Sequence, residues 1–230
     1  MTPKATNDAS PDVDLAALTF VVFGLGVGAA LAILALPDVA PAVARSMAEA
    51  RPKTWWYLSR TTGVVAYGLL SASMLLGLLL STRLAQRWPG AATALDLHRH
   101  TSLLGLALSA LHALVLLGDR HTQFSPLALA VPFSSSHEPF SVGLGQVALY
   151  GAVLVTLSSY ARRRLGPRGF RVLHLTSYAV FCLSLAHGLA LGTDRSVMFG
   201  GALVAAGVSL LALFRLLRSG TPARGRSPAR

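Results

Sequence analysis

Long apolar runs separated by short charged segments set the pattern of this chain. Six stretches contain no Asp, Glu, Lys or Arg: 15–37, 61–82, 100–118, 139–161, 172–193 and 196–214. A helix needs about 20 apolar residues to cross the hydrocarbon core of a bilayer. The runs are continuous rather than alternating, which argues for helices over barrel strands. A helix also satisfies its own backbone hydrogen bonds, as a lipid solvent demands. With their flanks, the runs predict spans of about 15–37, 55–82, 96–118, 140–161, 170–193 and 196–215. The expected fold class is therefore an all-α integral membrane protein, a six-transmembrane-helix bundle over 15–215. Segments 1–14 and 216–230 are rich in Pro, Ser and charge and read as disordered tails.

Charge then orients the bundle. With both termini cytoplasmic, the inner side carries Lys4, Arg83, Arg87, Arg162, Arg163, Arg164, Arg168, Arg171, Arg215, Arg218, Arg224, Arg226 and Arg230, with Arg99 at the inner end of the third span. The outer side carries Arg45, Arg51, Lys53, Arg60, Arg120 and Arg195. That bias follows the positive-inside rule, and it predicts a multi-pass protein of a bacterial inner membrane. The net charge of +11 is then mostly a topology signal and not a nucleic-acid footprint. Anionic lipid head groups are the partner it suits. Hydrophobic residues make up 53% and charged residues 13%, which excludes an ordinary soluble globule. The single cysteine, Cys182, excludes an intramolecular disulfide and any multi-cysteine metal site.

Several features have plain readings. The first run is too long for a signal peptide core, and Asp8, Asp12 and Asp14 precede it, although Ala42-Val43-Ala44 resembles a cleavage site. Gly24-Leu-Gly26-Val-Gly28 lies inside an apolar helix with no preceding strand, so it reads as a small-residue packing surface and not a nucleotide loop. Gly143, Gly145, Gly151, Gly200 and Gly201 read the same way. The connection 119–138 is the longest, and its apolar middle, 124–133, is too short to span. It is expected to lie on the membrane surface or dip into it. No catalytic triad, phosphate loop or paired carboxylate appears, and no span holds an acidic residue away from its ends.

The histidines carry the chemistry. His98, His100 and His112 belong to the third span, His174 and His187 to the fifth. An ionisable group in lipid is costly, so each requires a role. The two spans run in the same direction. The steps from His98 to His112 and from His174 to His187 are each roughly 20 Å along a helix. Two cross-helix pairs at two depths follow: His98 with His174, and His112 with His187. Each pair fits the iron of a haem held between two imidazoles, an arrangement suited to electron transfer. At about 100° per residue, His98 and His112 sit about 40° apart, but His174 and His187 sit about 140° apart. The fifth span therefore needs a bulge or twist, for which Ser184 and Gly188 are candidates, or its two imidazoles reach in from opposite flanks. His100 competes with His98 but is worse aligned with His112, and suits a propionate or the interface. Helix packing, a proton relay and a transported metal are the other readings of these histidines.

The chain resembles the ferric reductase-like transmembrane domain superfamily, which includes NADPH oxidases, ferric reductases and the haem-bearing membrane subunit of a bacterial methionine-sulfoxide reductase system. The resemblance covers about 55–215. It rests on Trp56-Tyr-Leu-Ser-Arg-Thr-Thr-Gly63, on Leu97-His-Arg-His-Thr-Ser-Leu-Leu-Gly105 with His112, and on Val172-Leu-His174 with His187. It implies two b-type haems, with His98 and His174 on the inner iron and His112 and His187 on the outer. It also implies a place for Arg60 near the outer haem. Arg99 and Arg171 are candidates for the inner propionates. Only residues 216–230 follow the sixth span, so no FAD- or NADPH-binding domain is expected on this chain. Electrons are then expected from a separate flavoprotein reductase, from quinol, or from a bound FMN. The favoured function is a di-haem cytochrome b delivering electrons to an outer-face acceptor. The alternatives are a membrane subunit that docks and reduces an extracytoplasmic redox enzyme and, less favoured, a histidine-relay metal or proton transporter.

Overall fold

The computed structural model describes residue 41, residues 54–119 and 122–192, and positions 200, 203, 207–211, 213 and 214. The expected tails, the span 15–37 with its glycines, and much of the span 196–215 lie outside the described residues.

Every regular element among the described residues is helical. Helix α1 runs Thr54–Ser81, α2 Ala91–Val115, α3 Pro126–Ala130, α4 Pro139–Tyr160, α5 Arg162–Leu175 and α6 Ser177–Leu191. Short 3₁₀ turns, Leu84–Gln86 and Leu116–Gly118, follow α1 and α2. Among the described residues, four stretches are long and apolar enough to cross a membrane: Trp55–Ser81, Ala91–Gly118, Pro139–Tyr160 and Arg162–Leu191. They coincide with the second to fifth expected spans. The third begins at Ala91 instead of near 96, and the fifth begins at Arg162 instead of near 170.

The packing suits a lipid solvent. Interior positions are small: Ala66, Ser71 and Ser73 of α1, Ala94, Gly105 and Ala107 of α2, Ala148 and Ala152 of α4. Large aliphatics such as Val65, Leu154, Leu157 and Val172 face outward. Without a hydrophobic force between helices in lipid, close backbone approach through small residues is what binds them. Gly105 makes the point, because a Cβ there would sit 2.9 Å from the Leu70 side chain. Leu78, Phe181 and Val208 form a buried cluster joining α1, α6 and the helical stretch around 208.

The fifth span is broken twice. Gly166 has φ 67°, a left-handed conformation that suits glycine, and Pro167 restarts the helix after it. At Thr176 the amide bonds Leu173 O at 3.1 Å, an i→i−3 step, and the hydroxyl bonds the same carbonyl at 2.6 Å. α6 then runs to Leu191 through Ser184 and Gly188. The irregularity expected at one of those two residues sits instead at Thr176.

The long connection folds back onto α4. Ser125 caps α3 by accepting from the Ala128 amide at 3.0 Å. At the other end of α3, Gln146 donates to the carbonyls of Ala128 and Leu129, both at 2.8 Å, and the Tyr150 hydroxyl donates to Ala130 O. Gln146 lies about 10 Å along α4 from its start. The segment therefore dips beside α4, and two α4 side chains satisfy the carbonyls that a short helix leaves open. Phe133 closes the return against Gly143, where a Cβ would collide with its ring.

Candidate functional site

Four histidines from α2, α5 and α6 meet as two pairs. The rings of His98 and His174 are 6.0 Å apart between centroids, with planes at 68°. Those of His112 and His187 are 6.2 Å apart, with planes at 77°. The pairing is the one expected from spacing. The 3₁₀ step at Thr176 contributes part of the twist that the fifth span needs for it. A 3₁₀ turn winds about 120° per residue against about 100° for an α-helix, so the step overwinds the helix in the direction that narrows the 140° mismatch.

Helix α1 clamps both histidines of α2 in one way. The Nδ1–H of His112 donates to Ser59 O at 2.7 Å, while Ser59 Oγ donates to His112 O at 3.1 Å. The Nδ1–H of His98 donates to Ser73 O at 2.8 Å, while Ser73 Oγ donates to His98 O at 3.3 Å. One turn beyond each serine is a glycine that makes room for the ring. A Cβ on Gly63 would lie 2.8 Å from His112, and one on Gly77 would lie 3.3 Å from His98. Helix α4 repeats the device for His187, whose Nδ1–H donates to Ser141 O at 2.8 Å and whose ring lies 2.7 Å from where a Gly145 Cβ would be. A carbonyl acceptor fixes the tautomer: Nδ1 carries the proton and Nε2 keeps its lone pair. This is how metal-ligating histidines are usually oriented by their surroundings.

His174 differs. Its buried Nδ1 meets no hydrogen-bond partner among the described residues. The ring instead stacks on Phe170, 5.1 Å between centroids at 27°, and the Arg162 guanidinium lies 4.9 Å over Phe170.

A cavity of about 320 Å³ adjoins the His98–His174 pair. Gly77, Ser81, Thr156, Arg162 and Arg171 are among its lining residues, so the end of α1, the start of α2, the end of α4 and the start of α5 share one Arg-rich end. Tyr67 and Phe181, stacked 5.9 Å apart, close it toward the middle of the bundle.

The arginines separate in the structure. Arg171 lines the cavity, as does Arg162, which sequence reasoning did not single out. Arg99 turns to Asp96 at 3.6 Å on an exposed face. Arg60 lies 5.1 Å over the Trp56 ring, beside the His112 clamp. His100 donates from Nδ1 to the Asp96 carbonyl of its own helix at 2.6 Å, so His98 is the α2 residue that pairs with His174.

These residues fit a haem. Two imidazoles sharing one metal, each at a metal–nitrogen distance of about 2.1 Å, place their ring centres roughly 6 Å apart, as the two pairs do. No group of three metal-ligating side chains occurs among the described residues. Ligands in twos suit a metal that brings its own equatorial donors.

Comparison with known proteins supports a membrane redox role. The family described as ferric reductase like transmembrane component matches residues 62–185, just over half of the chain. No curated protein and no solved structure matches it.

Proposed function

Because this chain belongs to the family of ferric reductase like transmembrane components, we propose that it is a b-type di-haem cytochrome that carries electrons across a bacterial inner membrane. His98 and His174 hold the iron at the Arg-rich end, and His112 and His187 hold the other. The observation that carries this reading is the pair of facing imidazole couples, one near each end of α2. The haem supplies the redox chemistry, and the protein supplies ligation, burial and spacing. The carbonyls of Ser59, Ser73 and Ser141 hold three Nε2 lone pairs in place. Arg171 and Arg162 face the propionates at the Arg-rich end, and Arg60 serves the opposite end. The Arg-rich end faces the cytoplasm and receives electrons from a separate flavoprotein or from quinol. An acceptor, a small molecule or an exported redox protein, meets the other end.

The test is electron transit in sealed proteoliposomes with an impermeant oxidant trapped inside and an impermeant reductant outside. Oxidant is expected to be consumed at a rate proportional to haem content, and not with His112→Ala protein. Equal rates with haem-free protein would rule the reading out.

A further inference from the structure

We infer, on the di-haem reading, that His174 is a displaceable ligand, so that the iron at the Arg-rich end exchanges it for a small neutral molecule while the iron between His112 and His187 stays closed. Three of the four imidazoles are held from behind by a backbone carbonyl at 2.7–2.8 Å. Among the described residues His174 has no such anchor, and its ring stacks on the face of Phe170. The register of α4 gives the reason. His187 meets Ser141 and Gly145, but thirteen and fourteen residues beyond Gly145 along α4 stand Ser158 and Ser159, without the glycine that admits a ring.

The backbone points the same way. His98 and His112 both lie within the single helix α2, Ala91–Val115, and His187 lies within α6. His174 lies on the segment Pro167–Leu175, which is bounded by the left-handed Gly166 on one side and by the 3₁₀ step at Thr176 on the other. Such a segment swings as a unit with little loss of helix hydrogen bonding.

The exchange is a ligand substitution. The bond from His174 Nε2 to ferrous iron breaks, and the lone pair of a diatomic ligand forms the new one. No electron changes hands and no proton is needed, because Nδ1 already carries the imidazole proton.

Carbon monoxide is the probe. The full-length, haem-supplied protein is reduced with dithionite and titrated with the gas while the Soret band is followed. About half of the haem is expected to shift, with an affinity about 10–100-fold above that of the other half, the range over which a lost outer hydrogen bond weakens a ligand. The His112→Ala protein, stripped of the outer haem, is expected to convert completely. His174→Gly protein soaked in imidazole is expected to recover the six-coordinate spectrum, because the truncated side chain leaves its own place for the free ring. No shift in the wild-type protein, equal binding by both haems, or binding confined to the haem retained by His98→Ala protein would overturn the inference. A protein without any Soret band overturns the di-haem reading itself and this inference with it, so the two failures look different.

Discussion

At the His112–His187 end, both imidazoles are pinned from behind by serine carbonyls and both rings lie over glycines. At the His98–His174 end only His98 is held this way, and its partner rests on Phe170 within a twice-broken helix. The ends share ring spacing, yet one is rigid on both sides and the other on one. Ligation geometry and ligand support are therefore separate properties of the fold. Spacing along α2 and the fifth span places four nitrogens, and α1 and α4 decide how firmly each is held.

Substitutions at the two ends sharpen this contrast. The largest effect is expected from the ligands. His112→Ala and His187→Ala are each expected to remove about half of the bound haem, measured by pyridine haemochrome. At the Arg-rich end the losses are expected to be unequal, with His98→Ala more severe than His174→Ala. Equal losses there would break the comparison. Next come the glycines. Gly63→Leu and Gly145→Leu drive a side chain into His112 and His187, where even a Cβ would lie at 2.8 and 2.7 Å. A loss of about 10–100-fold in outer haem affinity is expected. Gly188→Ala, facing open space, is the matched control. It is expected to retain haem and to gain up to about 1 kcal/mol of helix propensity.

A smaller effect is expected at the dipping segment. Gln146→Leu leaves the carbonyls of Ala128 and Leu129 without their partner, a loss of about 1–3 kcal/mol. Thermal unfolding followed by outer-haem release is expected to move to lower temperature, with the inner haem released later. Smallest is Arg99→Gln, which breaks an exposed ion pair with Asp96 worth about 0–1 kcal/mol. Haem content and melting temperature are expected to stay within error, and a lost inner haem would return Arg99 to the propionate role first expected of it.

Much of this was legible in the chain. Apolar runs marked four spans, with the start of the fifth about eight residues late, because a lipid solvent leaves long helices as nearly the sole option. The histidine pairs followed from spacing alone. The supports did not, although the signal was present: Ser59-x-x-x-Gly63 and Ser73-x-x-x-Gly77 stand fourteen residues apart, as do His98 and His112. Glycine in an apolar helix reads first as a packing surface, and a backbone acceptor leaves no trace in residue identity. The overwound step at Thr176 was hidden for a related reason. A 3₁₀ turn is set by tertiary fit, and Thr176 is no more distinctive in sequence than Ser184 or Gly188. Arg162 and Phe170 were obscured by the surrounding run of arginines, which topology alone accounts for.

The most direct measurement is haem stoichiometry with a reduced-minus-oxidised spectrum, taken on purified, haem-supplied, full-length protein. A ratio near two haems per chain is expected, with b-type α-bands that halve in His112→Ala protein. A ratio near zero, or near one with no change in that variant, would contradict two histidine-held haems.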